Sequence, residues 1–284
     1  VMVSISGSSN KLVSLRKQIF DDYAAKTPKS AAHTERASRV LAAGVTGGRR
    51  FFEPHPLYMT NGMGSRTYDL DGNEYIDCFL CNGPLLLGHR HPDVMASRKE
   101  LENTGSILFN PDFMVECAEL LQTLVPAAEL IRFLGSGSEA VLSAVRLARS
   151  FTGKNKIVKF FGHYHGQDDQ FLIGRALSTE IISNGVPAEA VANTVVIEYS
   201  DIEVVRQKFD EDDDIAAVIL DPAMFAGGLW PAEKSYLEAL RKLTTERKIV
   251  LIFDEVISGF RIAAGGGQGH FGIKPDLMTF AKAL

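Results

Sequence analysis

The order of apolar and polar positions divides the chain into two stretches of different rhythm. Near the start, Leu12, Leu15, Ile19 and Tyr23 recur at helical spacing, which predicts an amphipathic helix over residues 10–25. Residues 43–56 are rich in Gly, Arg and Pro and read as a loop. The short runs 66–70 and 74–77 flank Asp71-Gly72, a strong hairpin signal. Residues 1–105 are therefore expected to form a helix and a small antiparallel sheet.

Beyond residue 105 the rhythm changes. Helices are predicted over 112–124, ending before Pro126, and over 233–247. A third is predicted over 137–152, with Ala140, Val141, Ala144, Val145, Ala148 and Phe151 on one face. Short apolar runs at 131–134, 156–161, 194–198, 216–220 and 249–253 read as strands, and a further short one precedes Lys282. Alternating strands and helices with near-continuous apolar strands predict an α/β fold, a mostly parallel sheet covered by helices over 106–284.

Composition narrows the classes. The chain has 284 residues, enough for one large domain and a smaller lobe, and 45% are hydrophobic. Its net charge of −5 is spread over interspersed acids and bases, unlike a nucleic-acid-binding footprint. No apolar run approaches the roughly 18 residues of a membrane span, and no apolar signal core opens the chain. Three cysteines, Cys78, Cys81 and Cys117, argue against a disulfide framework and fit a reducing, cytoplasmic setting. Cys78 and Cys81 form a CxxC with no second pair, so two ordinary thiols is the better reading than a metal or redox site. The sequence stops at Ala283-Leu284 inside an apparent element and reads as a fragment.

Four segments carry candidate chemistry. Gly135-Ser136-Gly137-Ser138-Glu139 opens a helix, where unpaired N–H groups, glycines and hydroxyls suit a phosphate. Ser136 with Glu139 is equally a capping box. His163-Tyr164-His165-Gly166 follows a strand, where open α/β sheets bind ligands. Asp254 ends an apolar strand, where a carboxylate needs a cation or hydrogen bonds; a helix cap or metal ligand is the alternative. Lys282 follows another short strand, and alone it would be a surface charge. Together, in this order on successive strand ends, these residues suit pyridoxal phosphate, which needs a lysine and an acid at its ring nitrogen.

These segments, with Tyr68–Asp77, Leu87–Pro92 and Pro275–Lys282, resemble the class III aminotransferases among the fold-type I pyridoxal-phosphate enzymes. The resemblance runs from about Ala43 to Leu284 and is strongest to the glutamate-1-semialdehyde aminomutase branch. It implies that Lys282 forms the Schiff base with pyridoxal 5'-phosphate and then moves the proton at the substrate carbon. It implies Asp254 at the pyridinium nitrogen, Tyr164 stacked on one ring face, Val256 on the other, and His165 nearby. It implies Ser136, Gly137 and Ser138 around the phosphate, and Arg50, with Arg49 beside it, and Asn82 near the substrate.

The resemblance also implies a small-molecule amino donor, a keto or aldehyde acceptor, a homodimer, and a further C-terminal lobe that this sequence does not include. Departures from the pattern are present. Asp221-Pro222 stands where the family has Glu-Pro, Ala223–Gly228 lacks the polar residue near the phenolic oxygen, and Asn82 replaces the aminomutase branch's Trp. The alternatives are an intramolecular aminomutase or an inactive truncated piece. A nucleotide-binding module would need a phosphate loop with Lys or a ribose-binding acid after a GxGxxG, and neither is present.

Overall fold

The computed structural model describes residues 10–47, 50–105, 109–175, 180–181 and 183–284. The chain forms two compact units, residues 1–105 and 106–284.

In the first unit, helix α1 (Asn10–Lys26) and helix α2 (Pro28–Ser38) meet at buried Thr27, with Pro28 starting the second helix. Strands β1 (Met59–Met63), β2 (Arg66–Asp69) and β3 (Glu74–Ile76) form an antiparallel meander. Its β2–β3 turn is organised by Asp69, whose carboxylate accepts from the N–H groups of Asp71 and Asn73 and from the Tyr75 hydroxyl at 2.7 Å. Helix α3 (Pro92–Glu102) follows.

The second unit runs α4 (Asp112–Leu124), α5 (Gly137–Thr152), β4 (Lys156–Phe160), α6 (Ala188–Val191), β5 (Thr194–Ile197) and α7 (Ile202–Glu211). It continues with β6 (Ile215–Leu220), α8 (Lys234–Arg247), β7 (Val250–Glu255), α9 (Gly266–Phe271) and β8 (Leu277–Phe280). The five strands are parallel in the order β5-β4-β6-β7-β8.

Strand residues alternate between two cores. Val158, Phe160, Val218, Leu220, Leu251 and Phe253 pack with Val205, Phe209, Leu237, Leu240 and Leu243 from α7 and α8. Ile157, Ala217, Ile219 and Ile252 pack with Val141, Ala144, Val145 and Ala148 of α5. Each buried Val, Leu, Ile or Phe among them stabilises the sheet by about 1.5–3 kcal/mol, and both faces are covered, which is why the strands read as near-continuous apolar runs.

Two expectations need correction. Ile131–Leu134 is not a strand: it has no ladder partner among the described residues, and an extended segment without one gains no sheet hydrogen bonds. Phe151 is 83% exposed, because the apolar face of α5 that meets the sheet ends at Ala148.

The chain leaves β4 for β5 on one side and then crosses to β6 on the other. The strand order therefore reverses at the β4–β6 boundary, where open α/β sheets place their ligand crevice, outside the carboxyl ends of the strands.

Candidate active site

Helix α5 begins at that edge. Ser136, extended at φ −159°, caps it: its Oγ accepts from the Glu139 N–H at 3.3 Å and donates to Glu139 Oε2 at 2.9 Å. The N–H groups of Gly137 and Ser138 have no protein acceptor among the described residues. A Cβ on Gly137 would lie 2.9 Å from both Val256 methyls and 3.4 Å from the Ala281 Cβ. Only glycine allows the helix start to approach the segments following β7 and β8 this closely.

The excursion after β4 closes on the same helix. Gly166 has φ +98°, and a Cβ there would fall 2.7 Å from Ser138 Oγ. That hydroxyl accepts from the Gln167 N–H at 3.2 Å. Tyr164 is half-buried, with the Arg175 guanidinium 5.2 Å from its ring centre.

Asp254 is buried near the end of β7 and stands opposite Thr279 in the β7–β8 ladder. Its Oδ2 accepts from His165 Nδ1 at 2.7 Å, and its Oδ1 from the Thr279 hydroxyl at 3.0 Å and the Val256 N–H at 3.2 Å. The His165 side chain is fully buried, and burial holds its pKa below the ordinary range even though Asp254 pushes the other way. It is therefore a neutral donor to a carboxylate rather than half of an ion pair. Its Nε2 has no partner among the described residues.

Lys282 lies two residues beyond β8, half-buried, beside the Ala281 that touches Gly137's surroundings. Its φ of +59° is left-handed, a conformation unfavourable by about 1–2 kcal/mol for a residue with a Cβ, and it turns the chain sharply off the strand.

Ser136, Gly137, Ser138, Tyr164, His165, Asp254, Val256 and Lys282 thus share one edge of one unit. Arg50 and Asn82 belong to the other unit. Arg50 is exposed and donates from Nη1 to Thr46 Oγ1 at 2.6 Å. Asn82 is exposed, the third of four consecutive left-handed residues from Leu80 to Gly83. Arg49 lies outside the described residues.

Two groups escape the sequence, and two acids it does show, Asp221 and Glu255, prove to be buried. Thr279 is one, because the register that sets it opposite Asp254 is not written in either strand. Lys159, inside β4, is another. Asp221, buried at the end of β6, accepts from the N–H groups of Ala223 and Phe225, both at 3.0 Å. Burial pushes its carboxyl up to about 6, with Asp254 adding to the rise. Glu255, also buried, accepts from the Gly267 and Gln268 N–H groups, and burial pushes it up to about 7. After Asp221, Met224 takes a left-handed φ of +41°, and its Sδ would lie 3.3 Å from a Cβ on Gly162. No polar side chain from 223–228 enters this contact.

A buried carboxylate with fixed donors, an aromatic ring, a helix start with unpaired N–H groups and a lysine lie at the strand ends of a covered α/β sheet, where such folds place their ligand sites. Residues 50–284 match the family described as aminotransferase class-III, and the chain belongs to that family. It is 42% identical over 262 residues to the glutamate-1-semialdehyde 2,1-aminomutase of Archaeoglobus fulgidus, spanning 90% of this chain and 62% of that protein. The corresponding protein of Natranaerobius thermophilus is 43% identical over 264 residues, 90% of this chain and 61% of that one.

Among solved structures, an omega-transaminase from Sphaerobacter thermophilus superposes with a TM-score of 0.85 at 34% identity, over 89% of this chain and 60% of that one. A transaminase with PLP bound gives 0.85 at 36% identity, over 90% of this chain and 61% of that one. The fold is that of the fold-type I transaminases, and the chain spans about three-fifths of the length of the proteins it matches. Among the described residues no helix is long and apolar enough to cross a membrane.

The residues present fit pyridoxal phosphate. Asp254 keeps acceptor capacity beyond its three donors, Gly137 and Ser138 offer N–H groups for a phosphate, and Lys282 supplies an amine.

Proposed function

We propose that the protein carrying this chain is a pyridoxal-phosphate-dependent aminotransferase, moving an amino group from a small amino donor to a keto or aldehyde acceptor. The observation that carries this reading is the Asp254 carboxylate, held by His165, Thr279 and the Val256 N–H on the strand next to the one that ends toward Lys282.

When bound, pyridoxal phosphate supplies an aldehyde that accepts an amine and a ring that draws electrons once its nitrogen is protonated. Asp254 accepts that nitrogen's proton in a hydrogen bond and keeps it in place by its negative charge. His165 and Thr279 keep Asp254 oriented and charged. Ser136, Gly137 and Ser138 hold the phosphate at the start of α5. Tyr164 and Val256 would flank the cofactor ring. Lys282 would supply the amine that holds the cofactor's aldehyde group and, once released, would carry a proton at the substrate carbon. Arg50 and Asn82 are proposed substrate contacts. A homodimer in the cytoplasm is proposed with this reading.

A second reading, intramolecular amino transfer by an aminomutase, is favoured by the names of the 42% and 43% identical relatives. The requirement for an external keto-acid acceptor separates the two.

The test is borohydride reduction of the protein with pyridoxal phosphate, followed by peptide mapping. A stoichiometric adduct at Lys282, absent in Lys282→Ala, is expected. An adduct retained in that variant refutes the assignment.

A further inference from the structure

Lys159 is fully buried in β4, on the strand face opposite Val158 and Phe160. A lysine there is costly unless its ammonium is satisfied. Its Nζ donates to three backbone carbonyls: His163 at 3.1 Å, Phe171 at 3.4 Å and Ile173 at 2.7 Å. An ammonium has three protons, so all of them are used, and every acceptor is a neutral carbonyl.

The three carbonyls lie on both limbs of the excursion that leaves β4 and carries Tyr164 and His165. The outgoing limb supplies His163 and the returning limb Phe171 and Ile173. Side chains of the returning limb meet both site residues. The Phe171 ring lies 5.8 Å from the His165 ring, edge-on, and the Arg175 guanidinium covers Tyr164 at 5.2 Å. The His163 carbonyl also belongs to the rigid peptide plane that leads into Tyr164. Fixing that oxygen sets the direction in which Tyr164 and His165 leave the strand.

We propose that Lys159 is a positioning residue, a charged clamp that joins the two limbs and thereby sets the places of Tyr164 and His165 in the site. The relevance to catalysis rests on the reading given under Proposed function; the clamp itself does not.

The clamp is sensitive to pH. Burial, with the Arg175 charge adding to it, pulls the Lys159 ammonium down to about 8. The other titratable groups facing it are His163 and His165, both held neutral by burial, and no carboxylate is hydrogen-bonded to it. Above about pH 8 the amine keeps two protons for three carbonyls, and the charge that strengthens each bond is gone.

Hydrogen exchange of the cofactor-free protein tests this, comparing wild type with Lys159→Met, which keeps the length and removes the charge. Loss of charge-assisted bonds implies at least about tenfold faster exchange. That change is expected at 161–175, with 215–220 and 250–255 unchanged and affinity for added pyridoxal phosphate lower by a similar factor. In wild type, the protection of 161–175, corrected for intrinsic rates, is expected to fall as pH passes about 8. In the variant that step is absent.

Equal protection of 161–175 in both proteins, or equal loss in the strands, overturns the clamp. If Lys159→Met does not fold, the wild-type titration decides: a flat profile overturns the proposal and a step confined to 161–175 supports it. Wild type that binds no pyridoxal phosphate refutes the functional reading and leaves the exchange result to decide the clamp.

Discussion

Thr279 stands directly opposite Asp254 in the parallel ladder of β7 and β8, and its hydroxyl donates to the Asp254 carboxylate at 3.0 Å. Thr279→Val keeps the shape and removes the donor. It is expected to cost about 1 kcal/mol of folding stability and to slow amino transfer several-fold more than it weakens cofactor binding. Urea denaturation and steady-state kinetics check the two parts.

His165→Leu takes the fully buried donor from Asp254 Oδ2 and leaves a buried charge less satisfied. A loss of about 2 kcal/mol is expected. A variant as stable as wild type in chemical denaturation would show that His165 does not hold the carboxylate.

Gly166 combines a left-handed φ of +98° with a Cβ direction that ends 2.7 Å from Ser138 Oγ. Gly166→Ala therefore adds backbone strain and pushes on the hydroxyl that accepts from Gln167. About 1–3 kcal/mol of destabilisation is expected, together with weaker binding of pyridoxal phosphate, read by denaturation and by titration of the cofactor's absorbance.

Asp221 and Glu255 titrate in the folded protein at about 6 and about 7, raised by burial. Between about pH 4, where unfolded carboxyls ionise, and those values the folded state holds more protons than the unfolded one. Their contribution to stability is thus fully present below about pH 4 and is lost as pH rises through about 6 and about 7. Glu255→Gln removes one of the two groups, so its stability measured by urea at mildly acidic and neutral pH should decline less with pH than that of wild type. An unchanged slope would remove Glu255 as a source.

Lys282 sits at φ +59°. Both Lys282→Ala and Lys282→Gly lose the amine, but only glycine accepts that backbone without penalty. The glycine variant is expected to be more stable than the alanine variant by about 1 kcal/mol, a comparison thermal unfolding can make directly.

The sheet was legible because its strands are buried on both faces: Ile215–Leu220 is apolar throughout, and so is the body of Val250–Glu255 up to Asp254. Helix α3 left no signal because it buries none of its residues and so carries no apolar stripe. Helix α2 buries only Ser30 and Ala37, neither large enough to mark a face. Ile131–Leu134 has a strand's pattern without a neighbour to pair with.

In the candidate site, the segments opening at Ser136, Tyr164, Asp254 and Lys282 announce themselves by glycines and strand ends. Thr279 and Lys159 do not. Their roles depend on which backbone or strand lies alongside, and local periodicity carries no information about that. Lys159 in particular looks like an ordinary polar interruption of a strand, while its three acceptors come from four, twelve and fourteen residues further along the chain.

The contact between His165 and Asp254 joins the segment that follows β4 to the end of β7, and β6 runs between those two strands. A single hydrogen bond therefore acts as a tie across the mouth of the sheet, spanning two inter-strand spacings of about 4.8 Å each. Anything that splays or twists the strands beneath it, such as a larger side chain at Ala216 or Ala217 in the packed layer of β6, is expected to stretch that tie. The acid's alignment is in this sense a gauge of the sheet's curvature, and changes in its core offer a way to tune reactivity without touching a single group that meets a ligand.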